Sequence, residues 1–190
     1  MQCPLYHILR FLFKPLFLLL YRPKIYGKEN IPVNGSLVIA SNHKHAMDPL
    51  MIILATKRTI HFLAKIELFK GIFKLFFNAV GTLPVDRKNK NPDTVSKAEE
   101  MLKSGGVIGI FPEGTRNKTN EDLLPFKKGA VVFAKNTNSK IVPVYIKDDY
   151  KLFRKSVKVI IGKPYKVKGS IEEEIEILKA KILELKEVRF

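Results

Sequence analysis

Leu37-Val38-Ile39-Ala40-Ser41-Asn42-His43-Lys44-His45-Ala46-Met47-Asp48-Pro49 decides how this chain is read. Its first four residues make a short apolar run, the pattern of a buried strand. A polar loop with a histidine follows, and an aspartate stands five positions after that histidine. Pro49 and the apolar run Leu50 to Ala55 then predict a helix over about 49–57. The arrangement recurs downstream, where Val107-Ile108-Gly109-Ile110 runs into Phe111-Pro112-Glu113-Gly114-Thr115-Arg116. In an open α/β sheet the residues just past the carboxyl ends of strands line the ligand crevice, so both loops belong to one candidate site.

Strand and helix patterns alternate along the rest of the chain. Residues 59–64 and 80–86 read as strands, 93–103 as a helix closed by Gly105-Gly106, and Phe126-Lys127-Lys128-Gly129 as the opening of a helix to about 136. Residues 141–146 make an apolar strand whose Pro143 implies an edge, a bulge or a bend. A last strand over 157–162 precedes a helix over 171–187, whose stripe Ile171, Ile175, Leu178, Ile182 and Leu185 should pack on the sheet. Between 65 and 78, Ile66, Phe69, Phe73 and Phe76 recur at helical spacing. Such a stripe reads as core, or as a surface for a membrane or a fatty chain. His61, inside a strand pattern, reads as a satisfied core or surface histidine.

At 190 residues the chain is long enough for one domain with a real core, and 46% apolar with 27% charged residues is ordinary for a globular protein. The charge is not ordinary. Lys and Arg number 34 against 18 Asp and Glu, a net +16, and the tail 171–190 is itself acidic, so the first 170 residues carry +18. Such a surface suits nucleic acid, anionic headgroups or an acidic protein. Nucleic acid is disfavoured, because there is no zinc-finger spacing and the aromatic residues sit in apolar helical patterns rather than among basic ones. The single Cys3 excludes an internal disulfide framework and fits a reducing compartment.

The first 24 residues form a separate problem. Pro4 to Tyr21 is mostly apolar, but no small-residue cleavage site follows it, and Arg10 and Lys14 fall mid-segment. Each would cost about 2.5–3.5 kcal/mol at a bilayer centre. At 100° per residue, His7, Arg10 and Lys14 share one narrow arc with apolar residues around the rest. That pattern suits an interfacial helix, bent or split at Pro15, with a core-packed helix as the alternative. The expected division is a membrane-associating segment over 1–24 and a catalytic domain over 25–190.

His43 and Asp48 suit acyl transfer to an alcohol. A base near neutral pKa must reach the hydroxyl, and a carboxylate on the other ring nitrogen would fix its tautomer. Asp48 has a second reading as the N-cap of the helix that begins at Pro49. His45 competes with His43 for the base role, a choice these residues by themselves leave open. The pair His43-x-His45 lacks a further ligand at metal spacing, so no metal is expected. No Gly-x-Ser-x-Gly elbow occurs, so no covalent acyl-enzyme is expected either. Arg87 and Arg116 offer planar forks for phosphate oxygens, and the Gly114-Thr115 backbone can approach closely.

Asn42-His43-x4-Asp48, Gly81-Thr82-Leu83-Pro84-Val85-Asp86-Arg87, the hexapeptide Phe111 to Arg116, and Val142-Pro143-Val144 resemble, in order and over roughly residues 25–165, the motif blocks of the glycerolipid acyltransferases, the bacterial 1-acylglycerol-3-phosphate acyltransferases among them. The resemblance implies a single α/β domain with a mixed, largely parallel sheet and helices on both faces. It implies catalysis by His43 with Asp48. It assigns phosphate-acceptor binding to Arg87 and to Glu113, Gly114, Thr115 and Arg116, with Lys65 as a further cation. Glu113, being anionic, would orient Arg116 or another cation, or accept from a glycerol hydroxyl. The implied reaction moves a fatty acyl group from acyl-CoA or acyl carrier protein to lysophosphatidic acid and gives phosphatidic acid, with no cofactor. Another lysophospholipid or glycerol 3-phosphate would use the same base, and the alternative of another class is a catalytically inactive, basic peripheral membrane-binding protein. The implied partners are the lysolipid, the thioester donor and an anionic membrane, approached peripherally from the cytoplasmic face.

Overall fold

The computed structural model describes residues 4–86, 92–147, 150–154 and 157–188. In chain order the elements are α1 (Pro4–Tyr21), β1 (Lys24–Tyr26), β2 (Leu37–Ser41), α2 (Asp48–Ala55), β3 (His61–Lys65), α3 (Gly71–Ala79), β4 (Leu83–Val85), α4 (Pro92–Lys103), β5 (Val107–Ile110), α5 (Gly129–Asn136), β6 (Lys140–Lys147), β7 (Lys158–Ile161), β8 (Tyr165–Lys166) and α6 (Ile171–Glu187). The sheet order is β1-β7-β6-β2-β5-β3-β4, with β8 also pairing β6. Strands β4, β3, β5, β2 and β6 run parallel. Strand β7 is antiparallel to β6, and β1 is parallel to β7. The sheet is therefore mixed and largely parallel, as the resemblance implied.

The strands that read as continuously apolar lie in the middle. Every residue of β2 and β5 is buried, and so are the six central residues of β6. Alternation sends successive side chains to opposite faces. Leu37 and Ile39 pack with Met51 and Ile52 of α2 on one face. Val38 and Ala40 pack with Leu102 of α4, Ala130 of α5 and Leu178 and Ile182 of α6 on the other. Each such Leu or Ile, fully buried, contributes about 1.5–3 kcal/mol relative to exposure. Helix α6 opens with a capping box, in which the Ser170 hydroxyl accepts from Glu173 N and the Glu173 carboxylate accepts from Ser170 N.

Several expectations need correction. Helix α1 is unbroken across Pro15 rather than split in two. Phe17 and Tyr21 pack against the core while Phe11, Leu12, Phe13, Leu16, Leu18 and Leu19 stay exposed, so α1 is a docked helix with an uncovered apolar side. The helix expected over 65–78 is a 3-10 turn, Ile66–Leu68, followed by α3. Its stripe is not core, since no residue of α3 is buried and Ile72, Phe73, Leu75 and Phe76 all face outward. Periodicity shows that a helix has an apolar side but not what covers it. The strand expected over 80–86 is confined to 83–85, because Val80 and Gly81 are spent closing α3 through bonds to Phe76 O and Asn78 O. Strands β1 and β8 are two or three residues long and carried no pattern of their own.

Pro143 lies in the sheet centre, not at an edge. The β6–β7 pairing sets Val144 opposite Ile161, while the β6–β8 pairing sets Ile141 opposite Tyr165, so the second strand carries one extra residue between them. That is a bulge opposite Pro143, whose carbonyl accepts from Gly162 N. In a strand one residue's N–H and C=O point to the same side, so the hydrogen that proline lacks would have faced the bulge.

Candidate active site

The site is built where β2 and β5 end at the same edge of the sheet. His43 follows β2, Glu113 follows β5, and the two strands pair in register from Leu37–Val107 to Ala40–Ile110. His43 Nδ1 lies 2.8 Å from Asp48 Oδ2, and Asp48 is 1% exposed. An ionised carboxylate only accepts, so Nδ1 carries the hydrogen and the Nε2 lone pair is left as the base. The same Oδ2 accepts from Lys44 N and His45 N, each at 2.8 Å. Oδ1 accepts from the Tyr150 hydroxyl at 2.6 Å.

These bonds show which groups the Asp48 carboxylate serves. Its carboxylate receives N–H groups from the loop before α2, and no side chain caps that helix. Asp48 Oδ2 thus ties the His43 ring to the backbone of the loop that carries it. His45 is occupied differently, since its Nδ1 accepts from Met47 N at 3.2 Å and its ring stacks on Tyr150 at 4.1 Å.

The hexapeptide loop holds His43 from outside. Glu113, 3% exposed, accepts from His43 N through Oε1 and from Leu124 N through Oε2, both at 2.8 Å. Asn117 N donates to His43 O at 2.6 Å. Burial pushes the Glu113 carboxyl above its usual range, and the hydrogen bonds from Leu124 and His43 pull it back. Glu113 thus joins the His43 loop to the segment at Leu124 through one oxygen each. Asn42, 1% exposed, secures the other side, its amide donating to Ile146 O at 2.9 Å and accepting from Ile146 N at 2.7 Å.

Phe111 covers the imidazole, with rings stacked at 4.0 Å and 19°. Phe62 of β3 stacks behind Phe111 at 5.8 Å. Gly109 makes this layer possible, because a Cβ there would stand 2.4 Å from the Phe62 ring. Gly114 turns at φ +68°, and a Cβ there would meet the Lys127 side chain at 2.9 Å. Lys127, whose N donates to Pro112 O at 2.8 Å, therefore lies over the Glu-Gly-Thr-Arg turn. In the sequence it read only as the start of a helix.

Thr115 and Arg116 are exposed beside this turn, and Arg116 forms no ion pair among the described residues. Lys65 ends β3, also exposed, in register with Val85 of β4. Arg87 lies outside the described residues. Tyr150, Asn42, Phe111 and Asn117 were missed as supports. Asn42 and Phe111 stood inside the quoted motifs, whereas nothing in the sequence ties Tyr150 to Asp48, 102 positions away.

Known proteins resemble this chain over most of its length. The acyltransferase family profile matches residues 22–147. A 1-acyl-sn-glycerol-3-phosphate acyltransferase of Bacillus subtilis is 37% identical over 147 residues, covering 74% of this chain and 72% of that protein. One from Borreliella burgdorferi is 35% identical over 134 residues, covering 69% of this chain and 53% of its own length. The crystal structure of the 1-acyl-sn-glycerophosphate acyltransferase PlsC from Thermotoga maritima superposes with a TM-score of 0.70 at 26% identity, over 88% of this chain and 73% of that one.

Proposed function

This chain belongs to the acyltransferase family, and from that premise we propose that it transfers a fatty acyl group from a thioester to the free hydroxyl of 1-acyl-sn-glycerol 3-phosphate, giving phosphatidic acid. The observation that carries the reading is the His43–Asp48 pair, held at 2.8 Å in a loop whose His43 N and O are both bound by the Glu113–Asn117 segment. The acceptor oxygen attacks the thioester carbonyl as its proton passes to His43 Nε2. The tetrahedral adduct then expels the thiolate, breaking the C–S bond, and the imidazolium returns the proton to sulfur. Asp48 stabilises the imidazolium, as in hydrolases where an enzyme serine stands in place of the substrate hydroxyl. Arg116, with Arg87 and Lys65, supplies cations for the acceptor's phosphate, while Gly114 and Thr115 shape the turn that presents Arg116.

In this reading residues 1–24 are the membrane-associating segment of a domain that continues over 25–190. No described helix is long and apolar enough to cross a membrane. The exposed apolar sides of α1 and α3, which touch each other, support peripheral seating on an anionic surface. The donor is acyl-CoA or the acidic acyl carrier protein, and no cofactor is required.

Thiol release from an acyl thioester, measured with and without lysophosphatidic acid and across other lysolipids and glycerol 3-phosphate, tests the reaction and its acceptor. His43→Ala should lower turnover about 10²–10⁴-fold with the fold retained. Wild-type turnover in that variant would overturn the assignment of the base.

A further inference from the structure

Asp48 is almost wholly buried, and its two oxygens are served unequally. Oδ2 receives three N–H groups, from His43, Lys44 and His45, all supplied by its own loop. Oδ1 receives the hydroxyl of Tyr150, which arrives from beyond β6. A carboxylate held through one oxygen can still rotate about its last bond, and a second donor on the other oxygen fixes its plane. That plane sets the direction of the Oδ2···Nδ1 bond and hence the tilt of the His43 ring.

The Tyr150 ring is itself fixed on two sides. One face stacks on His45 at 4.1 Å and 23°. Tyr21 of α1 meets it edge-on at 5.7 Å and 82°, and Phe17 stacks behind Tyr21 at 5.9 Å. The aromatic series aims the hydroxyl, and the hydroxyl aims Asp48. We propose that Tyr150 is a positioning residue for catalysis, acting on His43 through Asp48 and kept in place by the inner side of α1. The inference rests on the acyl-transfer reading of the site, so its test needs one readout that does not depend on acyl transfer.

Tyr150→Phe removes the O–H and keeps the ring between His45 and Tyr21. Turnover should fall roughly tenfold, a share of the strength of a hydrogen bond to a charged group. Apparent KM for thioester and lysolipid should stay within about twofold, since Tyr150 acts on the base and not on substrate binding. In the Asp48→Asn background the same change should cost far less, because the charge it serves is gone. By NMR, the low-field proton on His43 Nδ1 should shift in the Tyr150→Phe protein even without substrate. An unmoved resonance with full turnover in Tyr150→Phe would overturn the inference, as would an equal loss with and without the Asp48 carboxylate. If the wild-type protein acylates no lysolipid but the resonance still shifts, the reading of the reaction fails and the positioning role stands.

Discussion

At the scale of single residues, Glu113 and Arg116 stand three positions apart and do different work. Both Glu113 oxygens accept backbone N–H groups, from His43 and Leu124, so the isosteric amide must point its NH2 at one of those donors. Glu113→Gln should therefore destabilise the fold by about 1–3 kcal/mol, the cost of a buried donor left without a partner. Denaturant unfolding measures it, and an unchanged midpoint would show that the loops are held otherwise. Arg116 is exposed and makes no ion pair among the described residues, so its removal should leave stability alone. Arg116→Ala should instead weaken capture of lysophosphatidic acid by about 1.5–3 kcal/mol, the scale of a charged hydrogen bond. Arg116→Lys should restore only part of this, because an ammonium cannot match a bidentate fork. An effect confined to the thioester's KM would assign the arginine to the donor. Both residues sit in one sequence motif, and their burial is what distinguishes them, Glu113 enclosed and Arg116 open to solvent.

At the scale of elements, α3 is the informative case. A nine-residue helix with no buried side chain has little to hold it by packing, yet it carries Ile72, Phe73, Leu75 and Phe76. Phe77 packs with Phe69 and Phe76 on its flank, and α1 lies alongside. Phe73, 62% exposed, can be removed without opening a cavity. Phe73→Ser should leave the melting temperature nearly unchanged and lower capture by anionic liposomes several-fold. That follows because burying most of a phenyl ring in lipid is worth about 1–2 kcal/mol. A large drop in melting temperature with unchanged liposome binding would return α3 to the core.

At the scale of the whole molecule, charge and fold divide the labour. The net +16 favours an anionic surface in whatever way the chain folds, because it is a sum over composition. The α/β class, the strands β2, β5 and β6 and the helices α2, α4 and α6 were legible because strands buried on both faces and helices with one apolar side write their burial into local periodicity. The candidate base was legible through its motif: the resemblance singled out His43 with Asp48, and their contact closes within one six-residue turn. Tertiary structure alone decided what depends on distant chain segments. It bound His43 to Glu113 across 70 positions and Asp48 to Tyr150 across 102. It placed Pro143 against a bulge that only the combined register of β7 and β8 reveals. It also left α3 uncovered, since a local pattern fixes which side of a helix is apolar, and only the packed molecule determines whether anything lies against it.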